Sequence, residues 1–265
     1  MDPSILAEMA ANPERRASWA SHESPGAYEK RPCLDARWTT LDEDALHAYL
    51  AEHGTPAADP AVAAAREGFM VRRDSLLQPS VAGNVLFGVH PELQRQAWRI
   101  IALRLAGADR SSPVADRLET EGPAPSAITQ VESFLRRHFE PEHEAAKTGL
   151  GFPLPAVLEA VTNAVAHRDY ASPSQVFVRL YDDRLEIENP GGLLPGVTFE
   201  DLMIDGGSYP RNPIIARTLR RIVLPAGQTF GFARIRKEME GLGAPPPEFA
   251  ADAHAFRITL YARGR

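Results

Sequence analysis

The segment 175–190 constrains the fold more than any other part of this 265-residue sequence. QVFVRLY (175–181) and RLEIENP (184–190) each alternate apolar and polar side chains, and Asp182 and Asp183 lie between them. A period of two is typical of strands with one buried face, and a short turn between two such strands predicts an antiparallel hairpin. The apolar face of this hairpin needs a second layer of structure to cover it.

Amphipathic helices can supply that layer. SAITQVESFLRRHF (126–139) and LPAVLEAVTNAVAHRDY (154–170) carry apolar residues at helical intervals. Capping pairs and closing glycines predict a short helix after Thr198, a helix from Asn212, a helix over 232–242, and then a strand over 255–262. The order helix, helix, strand, strand, helix, helix, helix, strand predicts an α/β (α+β) sandwich, with helices on one face of a mixed or antiparallel sheet.

For the N-terminal half of the chain, the sequence predicts a smaller mixed α/β region. Thr40 and Glu43 have the spacing of a capping box before a helix that ends at Gly54, and Asp59 with Pro60 starts another. A short helix is also expected before residue 20. FMVR (69–72), VAGNVLFGV (81–89) and AWRIIALRLAG (97–107) suggest strands, the second of them ambiguously, and 20–38 and 107–125 suggest irregular chain. We therefore predict two domains, 1–125 and 126–265.

Charge and composition narrow the classes of function. The 29 basic and 35 acidic residues give a net charge of -6, so nucleic-acid binding would need a local basic patch. The basic residues concentrate only at Arg217, Arg220, Arg221, Arg234, Arg236 and Lys237. The single cysteine, Cys33, excludes internal disulfides. No window approaches the ~20 apolar residues of a membrane span and no signal peptide is recognisable, so we expect a cytoplasmic protein without membrane contact.

A polar stripe on the helix over 154–170 is the most informative motif. Glu159, Asn163 and His167 are four residues apart and therefore share one face, opposite the face that carries leucine and valine. An exposed helix face explains such a stripe most simply. However, threonine and asparagine are poor helix formers, and polar groups on a buried helix need a partner, which favours a functional site.

Three loops could contact an anion. Gly191 and Gly192 follow a strand directly and would allow a ligand to approach the backbone closely, although a plain turn is the commoner explanation. SYPRNP (208–213) and GQTFG (227–231) each precede a helix, and helix N-termini attract anions. Simple helix capping accounts equally well for Asn212 and Pro213.

The order of these motifs resembles the histidine-kinase-like (GHKL) ATP-binding module of RecG-like transcriptional regulators and Schlafen-AlbA-associated proteins. EAVTNAVAHRDY (159–170) resembles the N-box of that family, and DDRLEIENPGGL (182–193) resembles its strand pair and first glycine box. SYPRNPIIARTL (208–219) and GFARIRKEMEGLGAPPPEF (231–249) resemble the two following helices. Upstream, residues 84–109 are similar to the later part of the AlbA-like Schlafen domain, so 1–125 is interpreted as a partial domain of that kind.

This resemblance implies a site for ATP and Mg²⁺. It implies that Asn163 holds the metal, Glu159 orients a hydrolytic water, and Asn189 accepts a hydrogen bond from adenine in place of the usual aspartate. It also implies room for base and sugar at Gly191 and Gly192, a phosphate contact from Arg211, and nucleotide-binding positions at His167, Asp169, Gly227 and Gly231.

The sequence also departs from the family pattern. VLPAGQTFGF (223–232) lacks the glutamate and the Gly-Ser-Gly run that commonly precede the last helix, so hydrolysis is expected to be slow or absent. We therefore predict a regulatory ATP-binding protein whose output is a protein partner or homodimer, with weaker support for DNA. The alternative is a degenerate, nucleotide-free interaction module that acts through a protein or through DNA.

Overall fold

A computed structural model describes residues 24–139, 151–203, 210–223 and 231–262. Within these ranges the helices are α1 (Glu43–His53), α2 (Pro60–Glu67), α3 (Val81–Phe87), α4 (Ala124–Phe139), α5 (Leu154–His167), α6 (Phe199–Met203), α7 (Pro213–Val223) and α8 (Phe232–Leu242). The strands are β1 (Met70–Arg73), β2 (Leu76–Pro79), β3 (Ile100–Leu105), β4 (Val114–Glu119), β5 (Val176–Leu180), β6 (Arg184–Pro190), β7 (Glu248–Ala251) and β8 (Ala255–Tyr261). The predicted short helix before residue 20 lies outside the described residues.

The larger sheet has the strand order β4-β3-β5-β6-β8-β7, and β1 and β2 form a separate hairpin. β3 runs parallel to β5, whereas the other neighbouring strands are antiparallel. The predicted hairpin of β5 and β6 is present, with Val178 opposite Ile187 and Leu180 opposite Leu185. These side chains are buried, and α4 and α5 pack on the sheet. The predicted α/β class with a mixed sheet is confirmed.

Helix α5 lies at the centre of the molecule, in contact with α4, α7, α8 and β6. Pro155 lies in its first turn, where the missing amide hydrogen costs nothing. Its buried residues occupy more than one face, because α7 and α8 cover the side that the sheet does not. Glu159 on the polar stripe is only 1% exposed, so the interpretation of this stripe as a solvent-exposed face is wrong at that position.

Several local predictions need correction. VAGNVLFGV is a helix, α3, because the Ser80 hydroxyl caps its first turn by accepting from the Gly83 amide at 3.0 Å. Asp42 rather than Thr40 caps α1, through a 3.0 Å bond from the amide of Ala45. β4 lies in the stretch predicted to be irregular, and β2 and β7 were likewise not predicted.

The sheet continues across residue 125. β3 and β4 come from the predicted N-terminal domain, and the parallel pairing of β3 with β5 joins them to the C-terminal strands. The division into two domains at residue 125 therefore stays a prediction. The strands before and after residue 125 belong to one sheet. Within the described ranges, no helix has the length and apolar character needed to cross a membrane.

Candidate functional site

A cavity lies between α5 and the ends of β6 and β8. Its apolar lining includes Ile187, Ile258, Phe232, Phe256, Leu194 and Val197. Its polar lining includes Asn163, His167, Asn189 and Arg211, and the glycines Gly191 and Gly192 also line it. A largely apolar cavity with a few convergent polar groups is typical of a small-molecule site. The structure thus brings together six predicted site residues from three separate segments.

Asn189 presents an acceptor at the end of β6. Its side chain is 4% exposed, and its Nδ2 donates to the carbonyl oxygens of Pro190 at 3.2 Å and Gly191 at 3.4 Å. The amide nitrogen is therefore engaged, and no described residue donates to Oδ1. A ligand that meets Asn189 meets an oxygen that can only accept a hydrogen bond.

The adjacent glycines are required by close packing. Gly191 has a φ of +94°, and a Cβ there would lie 3.0 Å from the Cβ of Asp169. A Cβ on Gly192 would lie 1.8 Å from the carbonyl oxygen of Asp252, in the turn between β7 and β8. The Gly191 amide donates to the His254 carbonyl at 2.7 Å. A side chain at Gly191 would therefore press on Asp169, and one at Gly192 would displace the turn between β7 and β8.

The chain after α5 is held by hydrogen bonds to backbone groups. Arg168 is 1% exposed and donates to the carbonyls of Ala97 at 2.6 Å and Ser174 at 2.8 Å. Asp169 makes a local turn, in which its Oδ1 accepts from the Ala171 amide at 2.8 Å. Asp169 therefore shapes the rim next to Gly191 and is absent from the cavity lining.

Asn212 was predicted to cap the helix that follows it, α7, and its side chain instead binds the end of α5. Its Nδ2 donates to the carbonyls of Ala166 and Arg168, both at 2.9 Å. These carbonyls lie at the C-terminal end of α5, where intrahelical donors run out. Asn212 therefore ties α7 to the helix that carries the polar stripe.

Glu29 takes the capping role at α7, and sequence reasoning missed it. Its carboxylate is fully buried and accepts from the amides of Ile214 at 2.9 Å and Ile215 at 3.0 Å. Burial raises the pKa of Glu29 to about 7, although these two amides act in the opposite direction. Nearby, the Gly26 amide donates to the Arg211 carbonyl at 2.8 Å. No local motif marks a cap that is supplied from 185 positions away.

Glu159 lies just beyond the cavity, where α5 meets the start of α8. Its Oε1 accepts from Asn163 Nδ2 at 3.1 Å and from the Gly231 amide at 2.8 Å, whereas its buried Oε2 has no hydrogen-bond partner among the described residues. Burial raises the pKa of Glu159, and Gly231, Asn163, Arg220 and Arg234 oppose that rise. A buried carboxylate with one free oxygen is suited to holding a water or accepting a proton.

Asn163 fits a role as a magnesium ligand. Because its Nδ2 donates to Glu159, the opposite atom of the amide, Oδ1, is the one left for another ligand. Mg²⁺ prefers oxygen ligands and usually keeps several waters while binding substrate phosphates, so a single protein oxygen is a sufficient anchor. Within the described ranges no cluster of three acidic, histidine or cysteine side chains offers an alternative metal site.

His167 and Arg211 line the same cavity. Burial, together with Arg220 and Arg211, lowers the pKa of His167 to about 4, so its ring is neutral near pH 7. The Arg211 Nη2 donates to the Gly192 carbonyl at 3.0 Å, and its buried Nε has no partner among the described residues. Arg211 is therefore a cation at the cavity wall with a free donor. Gly227, the remaining predicted position, lies outside the described residues.

The C-terminal part of the chain is similar to an ATPase-like family. Residues 173–260 match the model of a family described as "Putative ATP-dependent DNA helicase recG C-terminal". This match supports the predicted resemblance for the C-terminal part of the chain and includes Asn189, Gly191, Gly192, Arg211 and Gly231.

Comparison with solved structures supports the fold. The crystal structure of the DIP2311 protein from Corynebacterium diphtheriae is similar, with a TM-score of 0.63 and 22% sequence identity. The similarity covers 95% of this chain and 42% of that one, so the present chain spans less than half the length of its structural relative. No curated protein matches the chain.

Proposed function

We propose that the chain binds ATP with Mg²⁺ in the cavity beside α5 and that binding serves a regulatory role with slow or absent hydrolysis. The observation that carries this proposal is the convergence of Asn163, His167, Asn189 and Arg211 on one largely apolar cavity. The match of residues 173–260 to an ATPase-like family supports the same ligand class.

Adenine recognition rests on Asn189. Its Oδ1 would accept a hydrogen bond from the exocyclic amino group of adenine, while its Nδ2 stays bonded to two carbonyls. Guanine carries a carbonyl oxygen at the corresponding position, and two acceptors that face each other leave both without a partner. ATP should therefore bind more tightly than GTP.

The phosphates would extend from the cavity along the polar stripe of α5. Arg211 has a free donor for phosphate oxygen, and Asn163 Oδ1 would hold the magnesium ion, which neutralises phosphate charge when bound. Glu159 would orient a water through Oε2. Because Oε1 already binds the Gly231 amide and Asn163, the carboxylate has reduced freedom to adjust, which is consistent with slow turnover.

Calorimetric titration of the purified chain with ATP and Mg²⁺ tests the proposal, with ADP and GTP as comparisons. We expect saturable heat, with ATP favoured over GTP by at least about tenfold, because an unpaired buried acceptor costs about 1–3 kcal/mol. Asn163→Ala should remove most of the binding, and Glu159→Gln should retain it while removing any phosphate release. Gln96→Ala, which deletes an exposed amide that does not line the cavity, is the matched control.

Two outcomes would count against the site. Equal affinity of the wild type and Asn163→Ala would refute the metal-ligand assignment. Absence of heat at millimolar nucleotide from folded protein would refute nucleotide binding and favour the nucleotide-free interaction module. The choice of output among a protein partner, a homodimer and DNA follows from the family resemblance alone, and a pull-down with and without ATP addresses it.

A further inference from the structure

We propose that Arg234 forms a subsite for the terminal phosphate of a nucleoside triphosphate, so that the site distinguishes triphosphates from diphosphates. This inference rests on the proposed function and adds a residue that neither the family resemblance nor the cavity lining assigns. It also changes the interpretation of Arg220 and Arg234, which the sequence suggested only as part of a basic surface.

The first turn of α8 lies against Glu159. The Gly231 amide donates to Glu159 Oε1 at 2.8 Å, and the Arg234 amide donates back to the Gly231 carbonyl at 3.1 Å. Residues three apart lie on one side of a helix, so Arg234 is on the side of α8 that Gly231 marks. α8 also packs along α5, the helix of the polar stripe.

Arg234 is a mostly buried cation that lacks a full set of partners. Its side chain is 13% exposed, and its Nη1 is buried without a hydrogen-bond partner among the described residues. The carboxylate paired with it belongs to Glu238, one turn further on, with 3.8 Å between Nε and Oε1. That distance is too long for a hydrogen bond. A buried guanidinium donor without an acceptor is costly, and an anionic ligand would supply the acceptor.

A second unsatisfied group lies near it. Glu159 is 1% exposed, and its Oε2 has no partner in the described part of the chain. Arg234 is close enough to favour the charged form of this carboxylate, but its ion-pair partner among the described residues is Glu238. One ligand that carries both an acceptor and a donor would satisfy the free oxygen of Glu159 and the free Nη1 of Arg234. A phosphate with a bound water could pair with both.

The order of residues along α5 assigns the subsite to the end of the phosphate chain. Asn163 and His167 line the cavity, whereas Glu159 and Arg234 do not. Glu159 lies two turns from His167, a distance of about 12 Å at 1.5 Å per residue. A nucleoside near Asn189 that extends its phosphates along this stripe brings only the last phosphate to Arg234. A diphosphate would end near Asn163.

The test compares ATP and ADP affinities of wild type, Arg234→Ala and Arg234→Lys by calorimetry with Mg²⁺. Arg234→Ala should weaken ATP binding by at least about tenfold, because charge-assisted hydrogen bonds to phosphate are lost. ADP affinity should change by less than about twofold, because the diphosphate does not reach this position. Arg234→Lys should recover part of the ATP affinity. Arg236→Ala, on the exposed side of the same helix, is the control and should change neither affinity.

The failure of this inference can be told apart from failure of the proposed function. If the wild type binds neither nucleotide, both proposals fail. Suppose instead that the wild type binds both nucleotides and that Asn163→Ala lowers the affinity for both. If Arg234→Ala then lowers the ATP and ADP affinities equally, or changes neither, only the phosphate subsite is overturned. Thermal unfolding of each variant establishes that it is folded, and Arg234→Lys replaces Arg234→Ala in the comparison if the alanine variant is not.

Discussion

Replacing Glu29 with glutamine should remove a pH dependence from the stability of the protein. Glu29 is fully buried and holds the first two amides of α7, the helix whose preceding residues Arg211 and Asn212 contact the site. Burial raises its pKa from 4.5 to about 7 in the folded state. A carboxyl group with a raised folded pKa stabilises the fold below its unfolded pKa, and that stabilisation is lost as the pH rises through the folded pKa.

The magnitude follows from the two pKa values. A shift from 4.5 to about 7 corresponds to roughly 3 kcal/mol of stability, at about 1.4 kcal/mol per pKa unit. This stability is lost as the pH rises, and part of the loss occurs below pH 5. About 2 kcal/mol of it is therefore expected between roughly pH 5 and roughly pH 7.5. Glutamine also places an NH₂ group against one of the two α7 amides, which destabilises the variant by an amount independent of pH.

Urea denaturation of the wild type and Glu29→Gln across this pH range measures the effect. The difference in free energy of unfolding, wild type minus variant, should decrease by about 2 kcal/mol as the pH rises. Taking this difference cancels other groups that titrate in both proteins, and the constant cost of the glutamine NH₂ does not change with pH. Parallel stability profiles in the two proteins would refute the linkage of Glu29 ionisation to folding.

Three other substitutions have defined outcomes. Gly192→Ala should lower the melting temperature and abolish nucleotide binding because its Cβ meets a carbonyl oxygen at 1.8 Å, whereas Gly241→Ala, with open space around its Cβ, should be neutral or slightly stabilising; equal behaviour would contradict this. Asn212→Ala should cost about 1–3 kcal/mol in urea denaturation, since two buried carbonyls lose their donor, and an unchanged midpoint would count against it. The folded state keeps the His167 ring neutral, so the free energy of unfolding of the wild type should fall as the pH falls from 6.5 to about 4. His167→Gln should lack this loss, and identical profiles of unfolding free energy against pH in the two proteins would contradict the prediction.

The sequence predicted the elements whose side chains repeat with a clear period. The hairpin of β5 and β6 alternates strictly, and α4 has a wide apolar face, so both were predicted close to their observed bounds. The polar stripe of α5 was visible because Glu159, Asn163 and His167 recur every four residues. The cavity residues that follow β6 were found through the family resemblance, since a glycine pair after a strand is usually only a turn.

The elements that were missed lack a period or depend on distant residues. α3 is buried on every side, so its sequence has no polar face to separate a helix from a buried strand. β4 is a mostly polar edge strand. Its backbone pairing with β3 makes it a strand, and its own sequence does not indicate one. Glu29 and Asn212 bind helix ends from elsewhere in the chain, and such bonds exist only once the tertiary structure has formed.

These distant bonds make the cavity dependent on both halves of the chain. Arg168 secures the segment after α5 by binding the carbonyl of Ala97, which precedes β3, and Asn212 binds the end of the same helix. Glu29 in turn holds the first turn of α7, next to Asn212. Each bond joins a charged or amide side chain to backbone groups, so its geometry is specific and its loss leaves buried polar atoms unpaired. The position of Arg211 and of the α5 stripe therefore depends on residues near 29 and 97, which lie far from the family-matched segment in sequence.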